Sequence, residues 1–217
     1  MNAFPKRMHL RQGGFTLLEL LVVMGVIAIL LVVIVPSVNS ISKSNARKAA
    51  VSNLLGVIEQ ARATALRDGQ TTYVAFPDQI PGATGDVGMT QRYYYRSFAI
   101  FEDDPNTGSV KQVTPWKSLP TGVSLRHESV DYLANTPMVF SFSPGGSGAK
   151  APFPCLKFNS NGEVDASTTR DPTQTTGTIQ FGVFEGYVEN GSNKYTSKAR
   201  ITDSVAVTRL TGRAERM

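Results

Sequence analysis

Cysteine and histidine are nearly absent from this chain. Cys155 is the single cysteine, so no disulfide can close within the chain. His9 and His127 are the two histidines, too little material for a histidine-based triad or metal site. No P-loop, no G-x-S-x-G and no Cys/His metal spacing occurs. Gly145-Gly146-Ser147-Gly148 lacks the strand-loop-helix setting of a phosphate cradle and reads as a loop. Asp103-Asp104 before Pro105-Asn106 supplies too few carboxylates for calcium and reads as a turn. His127-Glu128 reads as a surface or turn pair. Cys155, in an apolar-leaning stretch, reads as a small core residue. No catalytic residue, cofactor or metal is assigned, and a non-enzymatic role is expected. Internal repeats and low-complexity tracts are missing as well.

The chain has one long apolar run, Leu20 to Val35, and what precedes it is informative. Lys6, Arg7 and Arg11 form a short basic leader, followed by Gly13-Gly14-Phe15-Thr16-Leu17-Leu18-Glu19. From Phe15 to Val35 the segment is long enough to cross a bilayer as a helix. A carboxylate near the end of such a helix is costly and calls for a partner. An ordinary secretory signal fits poorly, because the run is long for an h-region and Pro36-Ser37-Val38-Asn39-Ser40 is no A-x-A-like site. Charge leaves orientation open: three cations precede the run, and Lys43, Arg47 and Lys48 follow it.

Gly14-Phe15-Thr16-Leu17-Leu18-Glu19, opening an apolar helix close to the start, resembles the type IV pilin and type II secretion pseudopilin family. The resemblance implies that a prepilin peptidase cuts between Gly14 and Phe15 and N-methylates Phe15. It also implies a cytoplasmic leader and an exported remainder. Glu19 is then the assembly residue, pairing with the new α-amine of a neighbouring subunit, since either charge buried alone is expensive. Glu19 also faces the positive end of its own helix dipole, so simple capping is the alternative role.

The expected fold is α+β and pilin-like, a long N-terminal helix followed by an antiparallel β-rich domain. The segments are a leader over 1–14, a transmembrane and polymerisation helix over 15–36, an amphipathic continuation over 37–69 and a β domain over 70–217. Pro36 stands where family members bend this helix without ending it. Val51, Leu54, Ile58, Ala61 and Ala65 form a helical stripe, widened by Leu55 and Leu66, with Glu59, Arg62 and Arg67 off it. The stripe is expected to pack under the chain's own domain. Gly69 is the expected C-cap of a rod on the order of 80 Å. Aromatic and β-branched runs predict strands at 71–76, 93–101, 123–126, 139–142, 155–158, 178–184 and 199–209. Asn161-Gly162 predicts a type I′ hairpin. Glu59 to Ala65, Phe142 to Gly146 and Ile201 to Arg213 resemble the GspH/FimT branch of the family, whereas 77–135 matches no family pattern.

Major type IV pilins often carry a C-terminal disulfide loop, which a single cysteine cannot make. The resemblance therefore favours a pseudopilin of a type II secretion system. Its partners would be the peptidase/N-methyltransferase, other subunits and an inner-membrane assembly platform. Its place would be the inner membrane, with the β domain periplasmic, and then the filament. A minor type IV pilin is the alternative, and an uncleaved membrane-anchored binding domain a second. The net charge of +5 includes the three leader cations, so a strongly basic binding surface is not expected. Lys194, Lys198, Arg200, Arg209, Arg213 and Arg216 nevertheless cluster near the C-terminus. They are candidates for weak contacts to DNA phosphates, as in some FimT-type pilins. An ordinary solvated face is the favoured reading of that cluster.

Overall fold

The computed structural model describes residues 16–78, 93–134, 140–141, 150–169, 177–196 and 200–217, without the side chains of 32–42, 140–141 and 150–151. The leader, Phe15 and Lys198 lie outside the described residues, as do parts of the strands expected at 139–142 and 199–209. The chain divides into two compact units, Met1–Ser42 and Lys43–Met217.

Helix α1, Leu17–Asp68, runs through Pro36 without ending. It stops because Gly69 turns left-handed, with φ +65°, and donates its N–H back to the Ala65 carbonyl at 3.0 Å. That geometry is natural to glycine and strained for other residues. In the first unit, Leu17 to Leu31 exposes every large apolar side chain, from 49% at Ile27 to 86% at Leu17.

In the second unit, the amphipathic stripe packs as expected. Ala50, Val51, Leu54, Ile58, Ala61 and Ala65 are buried in one cluster with residues of two antiparallel sheets. Leu66 departs from expectation. It lies half exposed beside Gly162, because one residue past Ala65 already turns off the buried face.

The first sheet runs β3 (Val110–Gln112), β2 (Ser97–Asp103), β1 (Thr72–Ala75), β8 (Cys155–Phe158), with β4 (Lys117–Ser118) also on β2. The second runs β10 (Ser192–Tyr195), β9 (Thr178–Glu189), β11 (Thr202–Thr208), β12 (Ala214–Arg216), with β5 (Val123–Leu125) also on β9. A separate pair joins β6 (Phe140–Ser141) to β7 (Lys150–Ala151), and a short α2 covers His127–Asp131. Phe76 and Phe181 meet across the sheets, their ring centroids 5.2 Å apart.

The first sheet is buried on both faces. Val74, Phe98, Ile100, Leu156 and Phe158 point into the main core. Tyr73, Ala75, Ala99, Phe101 and Cys155 alternate to the other face, where Phe153 and Trp116 cover them. Trp116 meets Phe101 and Phe153 edge-on at 5.8 and 5.9 Å, a favourable aromatic arrangement. Cys155 is buried within this layer. Burial pushes the Tyr73 phenol well above its usual range, and the Asp103 carboxylate beside it adds to the effect.

The two Asn-Gly dipeptides behave differently. At Asn161-Gly162 only the glycine has positive φ, +80°, so the expected type I′ turn is absent, since that turn needs positive φ at both residues. Gly162 instead closes a turn by donating to the Asn159 carbonyl at 2.8 Å, and Val164 meets Phe158 only as an isolated bridge. Asn190-Gly191, with φ of 49° and 65°, makes the two-residue type I′ connection between β9 and β10. The strand expected at 93–101 begins at Ser97, because Tyr93 to Arg96 forms a turn.

The β11–β12 turn is held against the Asn159–Gly162 turn. Gly212 has φ +63° and donates to the Thr208 carbonyl, and a Cβ there would overlap the Gly162 carbonyl oxygen. Gly212→Ala is expected to destabilise the domain by at least about 2 kcal/mol, seen as a lower melting temperature. An unchanged melting curve would mean that the two turns separate freely.

Candidate functional site

Thr16 and Glu19 open α1 with a reciprocal cap. The Thr16 N–H and hydroxyl donate to Glu19 Oε2 at 2.9 and 3.0 Å, and the Glu19 N–H donates to Thr16 Oγ1 at 3.2 Å. This is a capping box, in which a Thr and a Glu three residues on satisfy each other's orphan donors. One carboxylate oxygen, Oε1, takes no part in the cap among the described residues. Among the described residues no helix is long and apolar enough to cross a membrane. Full description of the apolar run stops at Leu31, short of Val35.

The first turns of α1 in the second unit are tied to the second sheet by charge. Arg47 is buried, and donates from Nη1 to Glu185 Oε1 at 2.7 Å and from Nε to Asp203 Oδ2 at 3.0 Å. Arg216 donates to the other oxygen of Asp203 at 3.1 Å. Arg47, counted in the sequence among the flanking cations of the apolar run, is therefore a structural charge. Farther along, Glu59 accepts the Ala214 N–H at 2.8 Å and Arg62 donates to the Thr211 carbonyl at 2.6 Å. The residues off the apolar stripe thus anchor the C-terminal hairpin.

The C-terminal cations do not form one free surface. Arg209 is buried and donates to Thr169 Oγ1 and to the Asp165 carbonyl. Its inclusion among phosphate contacts is corrected by that burial. Arg216 belongs to the Asp203 network, and Arg200 lies over the Tyr195 ring at 5.8 Å. Lys194 and Arg213 are exposed. Sequence cannot reveal such pairings, because the partners of Arg209 and Arg216 come from distant segments.

His127 and Glu128 begin α2. Burial pushes the Glu128 carboxyl up, but hydrogen bonds from Arg126 and Asn193 outweigh it and hold the group below its usual range. His127 Nδ1 lies 3.3 Å from the same carboxylate. Asp104 forms the expected turn, accepting the Asn106 N–H at 2.9 Å. No group of three or more His, Cys, Asp or Glu residues suited to a metal occurs among the described residues.

Surface cavities among the described residues of the second unit include two of comparable size. The larger, about 460 Å³, is lined by Arg126, Glu128, Ser129, Gly182 and Ser204, among others. Its polar groups are largely satisfied internally, with Arg126 on Glu128 and the Gly182 N–H on Ser129 Oγ. The smaller, about 330 Å³, lies between the Tyr93–Arg96 turn and the β9–β10 hairpin.

Three solved structures are similar to the chain. The minor pseudopilin EpsH from the type 2 secretion system of Vibrio cholerae is 12% identical with TM-score 0.40, over 78% of this chain and 94% of that one. A second EpsH structure is 14% identical with TM-score 0.41, over 81% and 95%. The type IV minor pilin FimU of Pseudomonas aeruginosa is 12% identical with TM-score 0.42, over 82% and 92%. Likenesses this weak leave the architecture resting on the strand pairings described above. No curated protein matches the chain. The family described as the prokaryotic N-terminal methylation motif matches residues 9–35, and with that match the chain carries a prokaryotic N-terminal methylation motif ahead of its helix.

Proposed function

We propose that this chain is a pilin-like structural subunit, a pseudopilin of a type II secretion system in the GspH/FimT branch. The observation that carries the reading is the methylation motif over residues 9–35, leading into a helix whose apolar side chains are exposed from Leu17 to Leu31. An exposed apolar surface of that extent requires cover. Lipid supplies it in a membrane-inserted precursor, with Phe15 to Val35 as the span, and neighbouring helices supply it in a filament. Prepilin peptidase cuts between Gly14 and Phe15 and methylates the new amine. An inner-membrane assembly platform extracts the subunit, and Glu19 sets register by pairing with the amine of a neighbour. The chemistry is done to the protein, and its β domain forms the outward surface.

A single cysteine, buried at Cys155, favours the pseudopilin over a disulfide-bearing major pilin. The minor-pilin reading with DNA binding loses support from the burial of Arg209 and the pairing of Arg216.

The test is the N-terminal mass of the protein purified from its native membrane. A chain beginning at N-methylated Phe15 is expected. An intact Met1, or a cut beyond Val35, overturns the processing and with it the filament.

A further inference from the structure

The smaller cavity holds an arginine that forms no ion pair among the described residues. Arg96 makes no hydrogen bond or ion pair through its guanidinium among the described residues, and its Nε is shielded from solvent with no partner. Glu189 lines the same cavity yet forms no ion pair with it. Arg96 as a whole is partly exposed, but a shielded Nε without a partner carries a desolvation cost, and that cost falls when an acceptor reaches it.

The surroundings are built around this cation. Tyr95, just before it, has φ +55°, a conformation expensive for a bulky residue. Among the described residues it is held there by its N–H donating to the Pro77 carbonyl, its carbonyl accepting the Leu125 N–H, and its hydroxyl donating to Asp131 at 2.9 Å. Strain so firmly held is a mark of functional sites. Tyr94 and the half-exposed Tyr187 add aromatic lining, and Tyr and Arg are the residue types that anchor interfaces.

The hairpin beside the cavity supplies a backbone template. β11 pairs with β9 only as far as Phe184. From Tyr187 to Glu189, β9 is paired with β10 on one edge, and its other edge has no strand partner among the described residues. Those edge residues also line the cavity. An open edge accepts an added strand.

We propose that this cavity docks an acidic, extended segment of another protein chain, with its backbone on the free β9 edge and a carboxylate on Arg96. The guanidinium fork matches a carboxylate in two parallel hydrogen bonds. The volume suits one side chain with adjoining backbone. This proposal stands whether or not the chain assembles into a filament.

The test is calorimetric titration of the full-length chain in detergent with three probes: a blocked oligo-glutamate peptide, a blocked oligo-glutamine peptide and inorganic phosphate. Saturable binding of oligo-glutamate alone is expected. Arg96→Gln is expected to weaken it at least about tenfold, and Arg96→Lys less, while Arg213→Gln, an exposed cation elsewhere, leaves it unchanged. Tyr187→Ala, at a half-exposed position, is expected to weaken it too, which keeps the test decisive if Arg96→Gln fails to fold. Binding of phosphate as tight as oligo-glutamate would replace the peptide reading with a simple anion site. Absence of saturation, or equal affinity in Tyr187→Ala and a folded Arg96→Gln, overturns the proposal.

Discussion

Arg47→Ala is expected to destabilise the β domain by about 3–5 kcal/mol, the range for breaking a buried ion pair by removing one partner. The Arg47 side chain is 10% exposed and that of Glu185 9%, so neither has much water to fall back on. Truncation leaves Glu185 desolvated without a counter-charge. Asp203 fares better, because Arg216 still reaches it at 3.1 Å. The double variant Arg47→Met with Glu185→Leu removes both charges and restores apolar volume. It is expected to cost less than Arg47→Ala alone, since an apolar replacement of a whole buried pair is often neutral. Urea unfolding of the single variants and the double variant, read as a double-mutant cycle, gives the coupling between the two residues. A loss below about 1 kcal/mol for Arg47→Ala would place the pair in the solvated class and remove its role in fixing this part of α1 to β9 and β11.

This network marks where the sequence stopped being readable. The helical stripe from Val51 to Ala65 was legible because burial on one face imposes a period near 3.6 residues, and its members are buried. Gly69 as terminator was legible for the same local reason. β1, β8 and much of β9 showed through their aromatic and β-branched content. β3, β4, β10 and β12 did not, because they are short and polar, as in Lys117–Ser118 and Ser192–Tyr195. Such strands owe their existence to the neighbour they pair with. The charged residues were least legible. Arg47, Arg209 and Arg96 look alike in sequence, yet one is ion-paired in the core, one is tied to Asp165 and Thr169, and one faces a cavity unpaired. Asn161-Gly162 and Asn190-Gly191 teach the same lesson for turns. The dipeptide permits type I′ geometry, but only strands in register on both sides impose it, and only β9 and β10 provide them.

Glu19 carries the other large expected effect, and the capping box makes two roles separable. Glutamine at the third helical position serves a capping box as glutamate does, so Glu19→Gln keeps the hydrogen bonds to Thr16 and removes only the charge. Glu19→Ala removes both. If capping were the whole role, Glu19→Gln would behave as the parent and Glu19→Ala would lose about 1 kcal/mol of helix stability. If Glu19 neutralises the amine of a neighbouring subunit, both variants leave that amine buried without a counter-charge. Incorporation into the assembled fraction is then expected to fall at least tenfold in both, a factor that needs only about 1.4 kcal/mol. Thr16→Val supplies the converse case, weakening the cap while keeping the carboxylate, and is expected to incorporate nearly as the parent does. Cleavage at Gly14/Phe15, followed by N-terminal mass, is expected to proceed in all three, so a processing failure is distinguishable from an assembly failure. The decisive comparison is Glu19→Gln against Thr16→Val in the same membrane preparation. Loss of incorporation in the first alone assigns the work to the charge, and loss in the second alone assigns it to the cap.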